Sequence, residues 1–399
     1  MVGDPAPPPP PSSSIPARRS RLRRAGRGAG IAAAALVTAT LGYLALAPTG
    51  RYLVRAAWEE GKILRRSRPI AEVIADPATD ARTRGKLRLA LEARVFAADS
   101  LRLDAGRSFT SYSALEHDTL VVVISAAYRD RLERYQWWFP IVGRVPYKGY
   151  FDFGAARRAA TDLRRDSLDV YLRTASAFST LGKLPDPLLS TTLREDSLDL
   201  ANTVIHELTH NTFYAPGQAV FNESFANFVG ARGAAWMFRA RGDERAAAEV
   251  DARWGDDRLL ERFWTSVYRS LDSAFKAHPD DRAARLLARD SVYARARRAL
   301  VDSVAPRMHA RLSPRWAERV PLDNAALLAR QIYQTDLQLF DGVHEREGGD
   351  LRRSFARIVA LARSRPADPY GALGDWLRHT SPAARSVASD SSANGGGGE

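Results

Sequence analysis

In the stretch LANTVIHELTHNTFYAPGQAVFNESFANF, Leu200 to Phe228, two histidines stand four residues apart, a glutamate directly follows the first, and a second glutamate follows the second with 12 residues between them. Four residues is about one helical turn, so His206 and His210 face the same way and both imidazoles can reach one metal ion. Glu207 stands beside that face, where it can hydrogen-bond a water held by the ion without being a ligand. The chemistry this suits is hydrolysis: a zinc ion brings a water's pKa to about 7 and a neighbouring carboxylate takes the proton. The chain has no cysteine, which excludes disulfides, thiolate metal sites and cysteine nucleophiles and leaves His, Asp and Glu as the ligands of any metal.

A zinc ion held by two histidines needs a third protein ligand and keeps one position open for water. Glu223 fits that role, because Pro216 and Gly217 allow the chain to reverse between the segment carrying the histidines and a second helix-like segment, FNESFANF. Two antiparallel helices would return Glu223 to His206 and His210. Asn227, one turn further on, faces the same side and could bind the outer nitrogen of a ligand histidine. The first of these helices is expected to start at Asp196 or Ser197 and to bury Leu200, Val204, Ile205 and Leu208.

The formal charge is +13, of which +7 falls in the first 55 residues. Beyond them Arg alternates with Asp and Glu, a pattern of solvated helix surface rather than a phosphate-tracking stripe, so no nucleic-acid partner is expected. Residues 1–29, rich in Pro, Ser and Arg, lack the apolar content to fold alone. The uncharged run Gly28 to Gly50 is about long enough to cross a bilayer, and six arginines precede it, so residues 30–48 are expected to be a transmembrane anchor with the N-terminus in the cytoplasm. A secretory signal peptide shares this layout, but Pro48 directly after Ala45–Ala47 makes a poor cleavage site, and the retained anchor is preferred. The rest reads as a predominantly helical α+β chain, with helices from Tyr52 to about Leu115 and over Phe153–Arg165, and strands over 118–128 and 168–176. The expected organisation is a catalytic domain over 52–238, a long helical-hairpin insertion over 239–315, C-terminal helices over 316–379 completing the domain, and a disordered tail over 380–399.

The pairing of HELTH with NESFANF resembles the gluzincin arrangement, and NESFA is close to the NEGFA of the M1 aminopeptidases, although 12 residues between His210 and Glu223 depart from M1 spacing. The chain is more similar to a bacterial family of predicted aminopeptidases, through blocks such as FPIVGRVPYKGYFD (139–152), AFSTLGKLPDPLLST (177–191) and PLDNAALLARQIYQ (321–334). Members of that family often carry a lipid-modified cysteine near the N-terminus; its absence here leaves the apolar run as the anchor. The resemblance implies a zincin-like fold and a peptide hydrolase with Zn2+ on His206, His210 and Glu223 and Glu207 as general base; the orientation expected of the anchor puts its body on the periplasmic side of the bacterial inner membrane. It also implies that an edge strand before the metal helix pairs with a peptide substrate, which makes Ser179, Thr180 and Leu181 candidates for substrate contact. Tyr333, rather than Tyr147, Tyr150 or Tyr214, is the expected donor to the oxyanion, since related folds take this tyrosine from a helix after the third ligand. A free amino terminus would need an acidic partner, for which Asp186 and Asp323 are candidates; an endopeptidase or a peptidoglycan-peptide hydrolase fits the same residues. The reading from another class is a membrane-tethered binding or assembly protein with a structural or vestigial zinc site, which would have no use for Glu207.

Overall fold

The computed structural model describes Gly3 and residues 17–115, 121–139, 143–175, 186–309 and 314–380. The chain divides into two units, Met1–Lys62 and Ile63–Glu399. In the first, helix α1 (Ala17–Leu46) is followed by α2 (Pro48–Arg65). Residues 17–29, expected to lack structure, belong to α1, because Arg and Ala are both good helix formers that continue the apolar helix behind them. The single span expected over 30–48 is broken before Pro48, whose ring disfavours helical geometry in the preceding residue. No single helix among the described residues is long and apolar enough to cross a membrane; Ile31–Leu46 and Thr49–Arg65 together have the length and composition, with an 85° bend between them.

The second unit begins with β1 (Arg68–Pro69), α3 (Ile70–Ala75) and α4 (Ala81–Asp99), then β2 (Ser111–Ser113). The helical reading up to Leu115 fails past Asp99, since residues 111–113 find their partners far along the chain, at Leu188 and Leu189. Next come β3 (Val121–Tyr128), β4 (Trp137–Phe139), β5 (Gly143–Val145), β6 (Tyr147–Tyr150), α5 (Phe153–Arg165), β7 (Leu168–Ala175) and β8 (Leu188–Leu189). They form a β1–β2–β8 sheet, an antiparallel β6–β3–β7 sheet and a β4–β5 hairpin. The β-branched run of β3 sits at the centre of its sheet, with Val123 opposite both Gly149 and Arg173.

The remainder is helical: α6 (Ser197–Thr212), α7 (Ala219–Ala240), α8 (Glu244–Lys276), α9 (Arg282–Ala299), α10 (Pro314–Arg319), α11 (Asn324–Gln331), α12 (Leu337–Arg346), α13 (Leu351–Ser364) and α14 (Pro369–His379). The largest apolar core joins α4, α6, α7, α12 and α13 with the first half of α8, through Ala247, Val250 and Trp254. The second half of α8 packs with α9 in a core of its own, so the helical hairpin expected over 239–315 grows out of the main body rather than standing apart from it.

Helices α6 and α7 run antiparallel at close range. A Cβ on Gly230 would lie 2.2 Å from Asn202 Oδ1 and 3.0 Å from the Asn202 carbonyl, and one on Gly233 would lie 3.0 Å from Ile205 and Leu101 side-chain carbons. Glycine is therefore used here for contact, at a cost of roughly 1 kcal/mol in helix propensity. Gly255 in α8 is different, because a Cβ there would meet nothing within 4 Å. The two glycines should respond oppositely to alanine in urea unfolding. Gly255→Ala should raise stability by about 0.5–1 kcal/mol, whereas Gly230→Ala should lower it, overpacking of about 1–3 kcal/mol outweighing the propensity gain. A stabilised Gly230→Ala would show that the helices can separate freely.

Candidate metal centre

Helix α6 begins where the Asp196 carboxylate accepts hydrogen bonds from the backbone N–H groups of Leu198 and Asp199, both at 2.9 Å. Leu200, Val204, Ile205 and Leu208 are fully buried, which turns the flank carrying His206 and His210 toward α7. The intervening turn is held by Asn222, whose side chain accepts from Ala215 N–H and donates to Ala215 C=O, each at 2.8 Å. Gly217 supplies the left-handed conformation the reversal needs, with φ +76°.

The result is a convergence of three side chains. His206 Nε2 and His210 Nε2 lie 3.2 Å apart. Glu223 approaches with Oε2 3.4 Å from His206 Nε2 and Oε1 3.7 Å from His210 Nε2. Four ligands around a zinc-sized ion at 2.0–2.1 Å stand about 3.3 Å from one another, so the observed separations fit one triangular face of such a polyhedron. Two imidazole nitrogens and a carboxylate oxygen are also a donor set that suits zinc. His206 and His210 are well buried, while Glu223 keeps partial access to solvent. Glu207 is not among the three converging groups.

The two glutamates sit in contrasting electrostatic settings. Burial pushes the Glu223 carboxyl up, but hydrogen bonds and charge from His206 and His210 outweigh it and hold the group well below the usual carboxylate range. Burial raises Glu207, and the neighbouring charges of Glu223 and Asp186 add to the rise against the opposing pull of the two histidines. Burial disfavours the charged form of His206; Glu223, Glu207 and the Asn227 side chain overcome this, and its pKa is raised.

Asn227 lies beside His206 and donates through Nδ2 to the Tyr333 backbone carbonyl at 2.8 Å. Thr335 N–H donates to Ser224 Oγ at 3.2 Å, a second tie between α7 and the segment after α11. The Tyr333 phenol is half-buried and close enough to feel the Glu223 charge; desolvation is the main reason its pKa is raised. Tyr147 is 41% exposed; desolvation raises its pKa, and the charge of Glu223 and the neighbouring Tyr214 add to the rise. Tyr150 instead packs against the β6–β3–β7 core. Of the two aspartates singled out, Asp186 acts on Glu207, whereas Asp323 caps α11 by accepting from Ala326 N–H at 2.7 Å. Ser179, Thr180 and Leu181 lie outside the described residues. Sequence reading passed over Arg173, whose Nη2 donates to Tyr333 Oη at 2.8 Å. It sits in a strand 160 residues from its partner, and no local spacing signals the pair.

No curated protein and no solved structure matches the chain. A family described as "Putative aminopeptidase" matches residues 51–370, a region that contains His206, Glu207, His210, Glu223 and Tyr333. The chain belongs to this putative aminopeptidase family.

Proposed function

We propose that the chain is a zinc-dependent peptide hydrolase of zincin-like, gluzincin type, acting as an aminopeptidase and tethered to the outer face of the bacterial inner membrane by its N-terminal apolar segment. Family membership supports the peptide-hydrolase class. The observation that carries the zinc reading is the meeting of His206 Nε2, His210 Nε2 and Glu223 within one coordination sphere's reach, with Glu207 next to them in sequence and outside the trio.

His206, His210 and Glu223 would hold the ion. When bound, zinc supplies the Lewis acidity that acidifies water and polarises the scissile carbonyl. Glu207 takes the proton of the attacking water and returns it to the leaving amine. Tyr333 donates its phenol proton in a hydrogen bond to the oxygen on which negative charge develops. Asn227 steadies His206 and fixes the backbone of Tyr333 at the same time. Asp186, buried near Glu207, offers negative charge for the substrate's free amine. For the tether, the support is the row of exposed apolar side chains Ile31, Leu36, Val37, Leu41 and Leu46 and the arginines ahead of it.

Glu207→Gln keeps shape and hydrogen bonding but removes the base. It should take up zinc as wild type does, while kcat on aminoacyl and internally quenched peptides falls by roughly 10²–10⁴-fold. An unchanged rate would exclude this mechanism, and failure to hold zinc would make Glu207 structural and favour a binding or assembly protein.

Glu223→Ala should lose zinc, by metal analysis after dialysis, about as completely as His210→Ala, because either change removes one of three protein ligands. Stoichiometric zinc in Glu223→Ala would assign the third ligand elsewhere.

A reporter fused after residue 60 should be active outside the cytoplasm, on a protein that retains residues 30–48. Recovery of a soluble form starting near Pro48 would identify a cleaved signal instead.

A further inference from the structure

We propose that Arg173 is a positioning residue for this reaction, forcing the Tyr333 hydroxyl to act as a donor toward the substrate; the inference rests on the peptidase reading above. A guanidinium carries hydrogen-bond donors and no acceptor. In the 2.8 Å contact between Arg173 Nη2 and Tyr333 Oη, the phenol oxygen must therefore accept. Its own proton is left to point elsewhere, and among the described residues nothing accepts it.

The geometry around the pair directs that proton. Tyr333 is tied through its backbone carbonyl to Asn227, which stands one turn from Glu223 on α7 and beside His206, and on this placement the free side of its hydroxyl is assigned to the candidate metal centre. Arg173 comes from the other direction, on β7, an edge strand of the β6–β3–β7 sheet. Its guanidinium stands 5.1 Å from the Tyr333 ring centroid, and among the described residues no carboxylate forms an ion pair with it. The positive charge is thereby directed at the phenol. Such a cation has little to stabilise while the phenol only meets a neutral carbonyl. As negative charge grows on the substrate oxygen, the phenol donates more strongly and electron density shifts onto Oη, where Arg173 meets it. The gain is confined to the transition state and belongs in kcat, not in KM.

The experiment is a double-mutant cycle on the zinc-loaded full chain with Arg173→Gln, Tyr333→Phe and both together, with Arg173→Lys as the charge-retaining variant. Zinc content and thermal melting establish folding, and the cycle runs on Arg173→Lys if the Gln variant does not fold. The readouts are kcat and KM on aminoacyl peptides, and calorimetric affinity for a phosphinic peptide, a tetrahedral anion. Arg173→Gln should lower kcat by about 10- to 100-fold, the range for a hydrogen bond to a charged group. KM should stay within about twofold, phosphinate affinity should fall in step with kcat, and Arg173→Lys should recover part of the loss. In the Tyr333→Phe background the same substitution should cost less than about threefold, because the arginine acts through the phenol.

Additive effects would overturn the inference, as would a KM rise confined to substrates with a free terminal carboxylate, which would make Arg173 a direct substrate ligand. Loss of folding in both Arg173 variants would make the residue structural. A folded, zinc-loaded wild type that neither cleaves peptides nor binds the phosphinate would overturn the proposed function as well, whereas an active wild type with additive variants overturns the role of Arg173 alone.

Discussion

The close approach of α6 and α7 is the constraint on which the rest of the site depends. Three donors from two helices meet within 3.2–3.7 Å where the two backbones approach closely. Gly230 against Asn202, and Gly233 against Ile205, provide that proximity. The buried aromatic cluster of Phe221, Phe225, Phe228 and Phe340 on the other flank of α7 makes the arrangement rigid, with stacked contacts at 5.8–5.9 Å between ring centroids. Apolar packing on one side of α7 thus sets the position of polar atoms on the other, which is the physical basis of preorganisation.

A second layer of the structure brings distant segments to this helix pair. Asn324, at the start of α11, donates from its side chain to the Tyr128 carbonyl at 2.8 Å and from its backbone N–H to Asp169 at 3.0 Å, while Arg134 donates to the Leu328 carbonyl at 3.0 Å. These bonds pin α11 to β3 and β7. The segment leaving α11 is then caught by Asn227 and Ser224 of α7. Tyr333 is consequently located by the sheet and by α7 together. Arg173 on β7 is delivered by the same docking, so the small sheet contributes to the site although it supplies none of the three converging donors.

Electrostatics distinguishes two carboxylates that are chemically identical in the sequence. Glu223 meets two imidazoles and is held ionised, as a ligand must be. Glu207 is flanked by acidic neighbours in a desolvated position, where the carboxyl retains its proton to higher pH. The contrast between the two carboxyls follows from surroundings rather than residue type.

Much of this centre was legible in the sequence because its determinants are local. The His–Glu–x–x–His spacing, the Asp196 cap and the turn at Pro216 and Gly217 act within a few residues of one another, and α6 starts at Ser197 as the cap requires. Helix α5 and strand β7 follow from their own periodicity in the same way. The long-range parts were not legible. The short strand at 111–113 exists through pairing with Leu188 and Leu189, and the region from 100 to 115 reads as helix when that partner is out of view. Nothing local distinguishes Gly230 from Gly255, since both interrupt a helix, and only the neighbouring helix makes one indispensable and the other replaceable. Arg173 likewise looks like one more surface arginine in a chain rich in them. By itself the sequence determined which residues could bind a metal ion and activate water, because that information lies in side-chain chemistry and helical spacing. Tertiary structure decided that Tyr333 is tied to α7 and paired with Arg173, because both contacts join elements more than 100 residues apart.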